Sequence, residues 1–79
     1  SANVSTTAKL CAGSYVGARA IIGAQTVINE GAIIASGANL LNNVVAEAYC
    51  HVDSGATIKK NVVIPTLAKI ESGSVVSIE

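Results

Sequence analysis

Every sixth residue from Val4 is a large aliphatic: Val4, Leu10, Val16, Ile22, Ile28, Ile34 and Leu40, then Val52, Ile58, Ile64, Ile70 and Val76, with Ala46 the one small member. An amphipathic helix needs apolar residues at steps near 3.6, so this spacing excludes one. Two residues before each large aliphatic stands a small or β-branched residue: Ala2, Ala8, Ser14, Ala20, Thr26, Ala32, Ala38, Val44, Cys50, Ala56, Val62, Ala68 and Ser74. Residues two apart on a strand point the same way, so each hexad sends one small and one large side chain to a common interior. Where the large site shrinks to Ala46, its partner grows to Val44, which keeps the volume nearly constant.

The third column marks the corners. Gly13, Gly31, Gly37, Asn43, Gly55, Asn61 and Gly73 lie three residues after a large aliphatic, and Gly and Asn tolerate a left-handed backbone. Gly17 and Gly23 fall in the first corner position, and Pro65 also lies in a corner, where its missing N–H is expected to remove no sheet bond. A three-residue strand and a three-residue corner, repeated without interruption, predict a coil of three hexads. Thirteen hexads then give just over four coils about 4.8 Å apart, without inserted loops, as one domain over residues 1–79.

Composition narrows the options further. The chain is 51% hydrophobic with only two tyrosines for aromatics and no Met, Phe or Trp, so its core is narrow. Five basic and five acidic residues are scattered singly to a net charge of zero, which leaves no basic stripe for nucleic acid. No apolar run approaches the roughly 18 residues of a membrane span. The first residue is Ser1, which points to a processed or trimmed start.

The stretch "AEAYCHVDSG" places Cys50, His51 and Asp53 together, the residue types of a nucleophile, a base and its orienting acid. The period separates them: Cys50 points inward, His51 outward, and Asp53 falls in the next corner. A several-histidine metal site is excluded within one chain, because His51 is the only histidine. Cys11 in a first-coil corner and Cys50 in the interior are about two coil spacings apart, too far for a disulfide. Two unpaired cysteines point to a reducing cytoplasm.

Outward residues sort by face when every third hexad is taken. One face carries Asn3, Ile21, Asn39, Thr57 and Val75, another Lys9, Val27, Val45 and Val63, and the third Tyr15, Ile33, His51 and Lys69. The column Val27, Val45 and Val63, with Ile21 and Ile33 on neighbouring faces, is an apolar ladder expected to contact another subunit; its alternative is that β-branched residues simply suit an exposed strand. In the corners, Asp53 and Glu71 stack with Gly17 and Ala35, beside a row of Ser36, Ser54 and Ser72 that is either a ligand groove or a solvated edge.

The motif aliphatic-x-x-Gly-small-x, as in "INEGAI", "IASGAN", "VDSGAT" and "IESGSV", resembles the hexapeptide-repeat acyltransferases over essentially the whole chain. "VSTTAKL", "INEGAII", "CHVDSGATI" and "IESGSVV" are most similar to the acetyltransferases of sialic acids and nucleotide-activated amino sugars. The resemblance implies an all-β, single-stranded, left-handed parallel β-helix shaped as a triangular prism. It also implies acetyl-CoA as the coenzyme, no metal, a homotrimer or other homo-oligomer, and active sites between adjacent prisms. The family stretch resembling "LNNVVAEAYCH" has two histidines nine residues apart, the first being the catalytic base. His51 matches the second, whereas Asn42 occupies the position of the base. A carboxamide accepts no proton near neutral pH, and an alternative register puts Ser36 there. Lys59 and Lys60 are placed to reach a coenzyme phosphate. The family's N-terminal nucleotide-sugar domain and proline-containing tail have no counterpart in these residues. Two functions follow as expectations: an acyltransferase-like domain without its base, or a non-catalytic self-assembling solenoid scaffold.

Overall fold

The computed structural model describes residues 2–78. Thirteen two-residue strands recur every six residues. The first coil holds β1 (Asn3–Val4), β2 (Lys9–Leu10) and β3 (Tyr15–Val16). The second holds β4 (Ile21–Ile22), β5 (Val27–Ile28) and β6 (Ile33–Ile34), and the third β7 (Asn39–Leu40), β8 (Val45–Ala46) and β9 (His51–Val52). β10 (Thr57–Ile58), β11 (Val63–Ile64) and β12 (Lys69–Ile70) make the fourth, and β13 (Val75–Val76) begins a fifth. The strands are shorter than the expected three residues, because ladder pairing covers only the outward and the large inward position. The small inward residue still takes part through its carbonyl: Ala20 O accepts from Asn3 N at 2.9 Å, and Cys50 O from Ile33 N at 2.9 Å.

Three parallel sheets result. The first face stacks β1, β4, β7, β10 and β13, the second β2, β5, β8 and β11, and the third β3, β6, β9 and β12. Each residue pairs with the one 18 positions later, as in Ile33 with His51 and His51 with Lys69. The protein is therefore an all-β, three-faced parallel β-solenoid of about four coils, and the three outward columns read from the period are the observed registers.

The corners explain why six residues suffice for a strand and a bend. The first corner residue accepts a hydrogen bond from the N–H three residues on, as in Ala38 N to Ala35 O at 3.2 Å. The intervening third corner residue has positive φ, which is the signature of a type II turn. That backbone setting points its N–H along the solenoid axis: Gly37 N donates to Ala18 O at 3.0 Å, Asn43 N to Ala24 O at 3.0 Å, and Tyr49 N to Glu30 O at 3.0 Å. Seven of these positive-φ positions are the expected Gly and Asn. Arg19, Gln25, Tyr49 and Leu67 occupy the remaining four with φ of 60 to 66°. Pro65 removes no sheet bond among the described residues, though for a different reason than its place in a corner. The equivalent N–H does bond the next coil elsewhere, as Gly17 N to Ile34 O at 2.7 Å and Asp53 N to Ile70 O at 2.9 Å. Pro65 forgoes nothing because no described strand lies beyond β11 on its face.

The interior is one small and one large side chain wide. Ile22, Ile28, Ile34, Leu40, Val52, Ile58 and Ile64 are buried, and Val44 with Ala46 fills its layer with both residues fully buried. Thr26 is the one fully buried polar side chain among the described residues, satisfied by donating from Oγ1 to Leu41 O at 2.8 Å. Burial falls off toward the ends. Leu10 is 45% exposed, and Val4, Val16, Ile70 and Val76 are half-buried, because in a stack each layer is sealed only by layers on both sides.

Two corners test the backbone account. Alanine at Gly37 meets nothing closer than 3.9 Å, so Gly37→Ala costs only the left-handed penalty of about 1–2 kcal/mol. Alanine at Gly31 also collides with the Tyr49 ring, which lies over it. Urea unfolding should therefore show a larger loss for Gly31→Ala than for Gly37→Ala, and the gap should close in a Tyr49→Asn background. Leu67, strained at φ 66° and 75% exposed, has little packing to lose, and Leu67→Asn should gain about 1 kcal/mol.

Candidate functional site

Three edges separate the three faces, and each gathers corner residues from successive coils. The first edge, between the first and second faces, stacks residues 5–7, 23–25, 41–43, 59–61 and 77–78. The second stacks 11–13, 29–31, 47–49 and 65–67, and the third 17–19, 35–37, 53–55 and 71–73.

An open groove of about 600 Å³ runs along the first edge, lined by Leu41, Lys59, Lys60, Asn61, Ser77 and Ile78. Both lysines singled out from the sequence are here and exposed. Asn42 stands one coil back on the same edge, and its backbone carbonyl accepts from Asn61 N at 3.1 Å. Its side-chain Oδ1 accepts from Ala24 N at 2.9 Å. The groove therefore brings two cations and the Asn61 carboxamide beside apolar Leu41 and Ile78. Leu41, Ser77 and Ile78 were missed in the sequence, although sorting corner residues by edge would have put them beside the lysines.

His51 lies elsewhere. It is half-buried on the third face between Ile33 and Lys69, the face opposite the first edge, so the interior separates it from Asn42 within one chain. The apparent triad is dispersed as the period demands. Cys50 is fully buried in the core, His51 is on the face, and Asp53 is on the third edge, where its Oδ1 accepts from Ser54 N at 2.9 Å. Burial pushes the Cys50 thiol up from its ordinary value, which makes it a poor nucleophile.

A second groove, of about 390 Å³, follows the third edge between Ala18, Arg19, Ser36, Gly37 and Ser54. The serine row is thus partly a groove wall, and it bonds to itself: Ser72 Oγ donates to Ser54 O at 2.8 Å. On the second edge the Tyr49 hydroxyl donates to Glu30 Oε2 at 3.1 Å. That hydrogen bond, and then the glutamate's charge, raise the Tyr49 pKa. Among the described residues no group of three or more His, Cys, Asp or Glu side chains is arranged to hold a metal ion, and no helix is long and apolar enough to cross a membrane.

The proposed contact residues keep their columns. Val27 and Val45 are half-buried between their neighbours, Val63 is 53% exposed, and Ile21 and Ile33 are exposed on the adjoining faces. The aliphatic ladder is therefore continuous over the last three strands of the second face.

No protein-family model matches the chain, and no curated protein matches it. Among solved structures it is similar to a GDP-perosamine N-acetyltransferase from Caulobacter crescentus determined with CoA and GDP-perosamine. The two are 23% identical with a TM-score of 0.49, over 96% of this chain and 45% of that one. This chain thus spans less than half the length of that enzyme.

The burial of Cys50 gives a direct check on the dispersed triad. Under native conditions a thiol reagent should modify Cys11, which is half-buried, and leave Cys50 intact until denaturant is added. Rapid native labelling of Cys50 would contradict its place in the core.

Proposed function

We propose that this protein is an acyltransferase-like hexapeptide-repeat domain that binds acetyl-CoA along its first edge and assembles with copies of itself. The observation that carries the reading is the lining of the groove: Lys59 and Lys60 beside Leu41 and Ile78. Coenzyme A pairs a phosphate-bearing nucleotide with a thin, weakly polar arm, and such a ligand needs cations next to an apolar floor. The groove meets both needs on one edge.

Chemistry at this edge is incomplete. Asn42, which the family resemblance aligns with the base, has its carbonyl oxygen engaged by Ala24 N and no basic lone pair to take up a proton. His51 reaches such a site only from another subunit, since it lies on the opposite face of its own chain. This favours a second reading, a non-catalytic scaffold in which the Val27, Val45 and Val63 ladder seats a neighbouring prism and a homotrimer is the expected assembly.

Calorimetric titration with acetyl-CoA separates the two. The domain should bind it saturably, and Lys59→Ala combined with Lys60→Ala should weaken binding about tenfold, as expected for two exposed charge-assisted contacts. Absence of binding at millimolar coenzyme would leave only the scaffold. Sedimentation tests assembly independently: Val63→Lys, at a site already exposed in the single chain, should shift the oligomer toward monomer. An unaltered oligomer would remove the ladder from the contact.

A further inference from the structure

Asn42 is held in one orientation by its surroundings. A backbone N–H admits only an acceptor, so the oxygen of the carboxamide faces Ala24 N at 2.9 Å and its nitrogen faces away. The seat exists because residue 23 is glycine. A Cβ there would stand 2.7 Å from that same oxygen and 2.7 Å from the Leu41 carbonyl carbon. Asn42 is exposed, and among the described residues none accepts a hydrogen bond from its Nδ2. Outward, the side chain therefore leads with two N–H donors, while its oxygen is turned back onto Ala24 N. That is the reverse of what a general base offers, and it suits an anionic oxygen.

The surroundings carry the matching charge. Lys60 occupies the stacked position one rung on, about 4.8 Å away along the backbone, and the link is fixed by Asn61 N to Asn42 O at 3.1 Å. A lysine stem is long enough to span that rung, which would let its ammonium meet an anionic oxygen held by the carboxamide. The described carboxylates lie on the other two edges: Glu30 and Glu47 on the second, Asp53 and Glu71 on the third. The other polar residues of this edge, Ser5, Thr6, Thr7, Gln25, Asn43, Lys59, Asn61 and Ser77, include no acid, while Glu79 lies outside the described residues.

We infer that Asn42 Nδ2 and the Lys60 ammonium together form a phosphate-binding site on the first edge, with Asn42 as an orienting donor. The inference deepens the coenzyme reading and rests on it only for the ligand's identity, since it assigns a phosphate group, not a reacting thioester, to the position beside Asn42.

Titration of the ¹⁵N-labelled full chain with inorganic pyrophosphate tests it. The Asn42 side-chain NH₂ pair and the Lys60 amide should shift along one saturable curve. Asn42→Asp keeps an acceptor for Ala24 N, so the folded spectrum should persist while pyrophosphate binding falls at least tenfold. Arg19→Ala, on the third edge, should leave binding within twofold. An Asn42 pair that stays still at saturation, or an Asn42→Asp chain that binds like the parent, overturns the site. If Asn42→Asp does not fold, the titration of the parent chain decides alone. Parallel titration with acetyl-CoA keeps the two ideas apart. Pyrophosphate bound through Asn42, with no acetyl-CoA binding, upholds the site and removes the coenzyme reading. Acetyl-CoA bound with Asn42 unmoved does the opposite.

Discussion

The whole structure depends on the hydrogen bond between one coil and the next. Two-residue strands have no stability of their own, and the corners join them without a helix or a long loop to pack against. What holds each strand is the ladder to the residue 18 positions away, repeated on three faces. At the edges the same direction is served by the positive-φ residue, whose N–H turns along the axis onto the preceding coil. The left-handed corner conformation is thus the condition for closing the ladder around the bend. This is why it recurs at Tyr49 and Leu67, whose N–H groups reach Glu30 O and Ala48 O although their side chains oppose it, and at Gln25, whose N–H reaches Thr7 Oγ1. At Tyr49 the opposition is partly offset, since the ring rests where Gly31 leaves room and the hydroxyl reaches Glu30.

A ladder of this kind makes stability a property of neighbours. Ile34 and Leu40 are sealed because coils lie on both sides, whereas Leu10, in an identical phase, is nearly half exposed because one side is open. The same hydrophobic residue therefore contributes unequally according to its layer. It follows that the middle coils, from Ala20 to Ile64, carry the packed core, and the outer coils are held mainly by their backbone bonds.

Legibility followed the same division. The inward columns could be read directly from the sequence, because a period of six with an aliphatic at nearly every beat admits one arrangement of faces. The registers from Lys9 through Val63 were implied by counting. Side-chain conformation was not implied. Nothing in the letters shows that Asn42 turns its oxygen back onto Ala24, that Tyr49 lies over Gly31, or that Leu41 and Ile78 floor a groove with Lys59 and Lys60. Those facts come from contacts between coils, which a reading along the chain crosses only every 18 residues.

The same geometry decides where chemistry can reside. Neighbours in sequence are sent to different places, one inside, one on a face and one in a corner, so a run of reactive residues such as Cys50, His51 and Asp53 cannot act together. Neighbours in a column can, since they are one rung apart and share a direction. A functional site in this fold must therefore be sought down an edge or a face, and the charges of this chain are already divided that way. Lys59 and Lys60 stand on an edge without a described carboxylate, while Glu30, Glu47, Asp53 and Glu71 occupy the other two. Those acids stand on the other two edges of a solenoid whose extents are 26 × 21 × 20 Å, and exposed charges separated by more than the Debye length of about 8 Å at physiological salt are largely screened. An anion on the first edge thus meets the two lysines and the Asn42 donors with little opposing field, which is the electrostatic condition for holding a phosphate there.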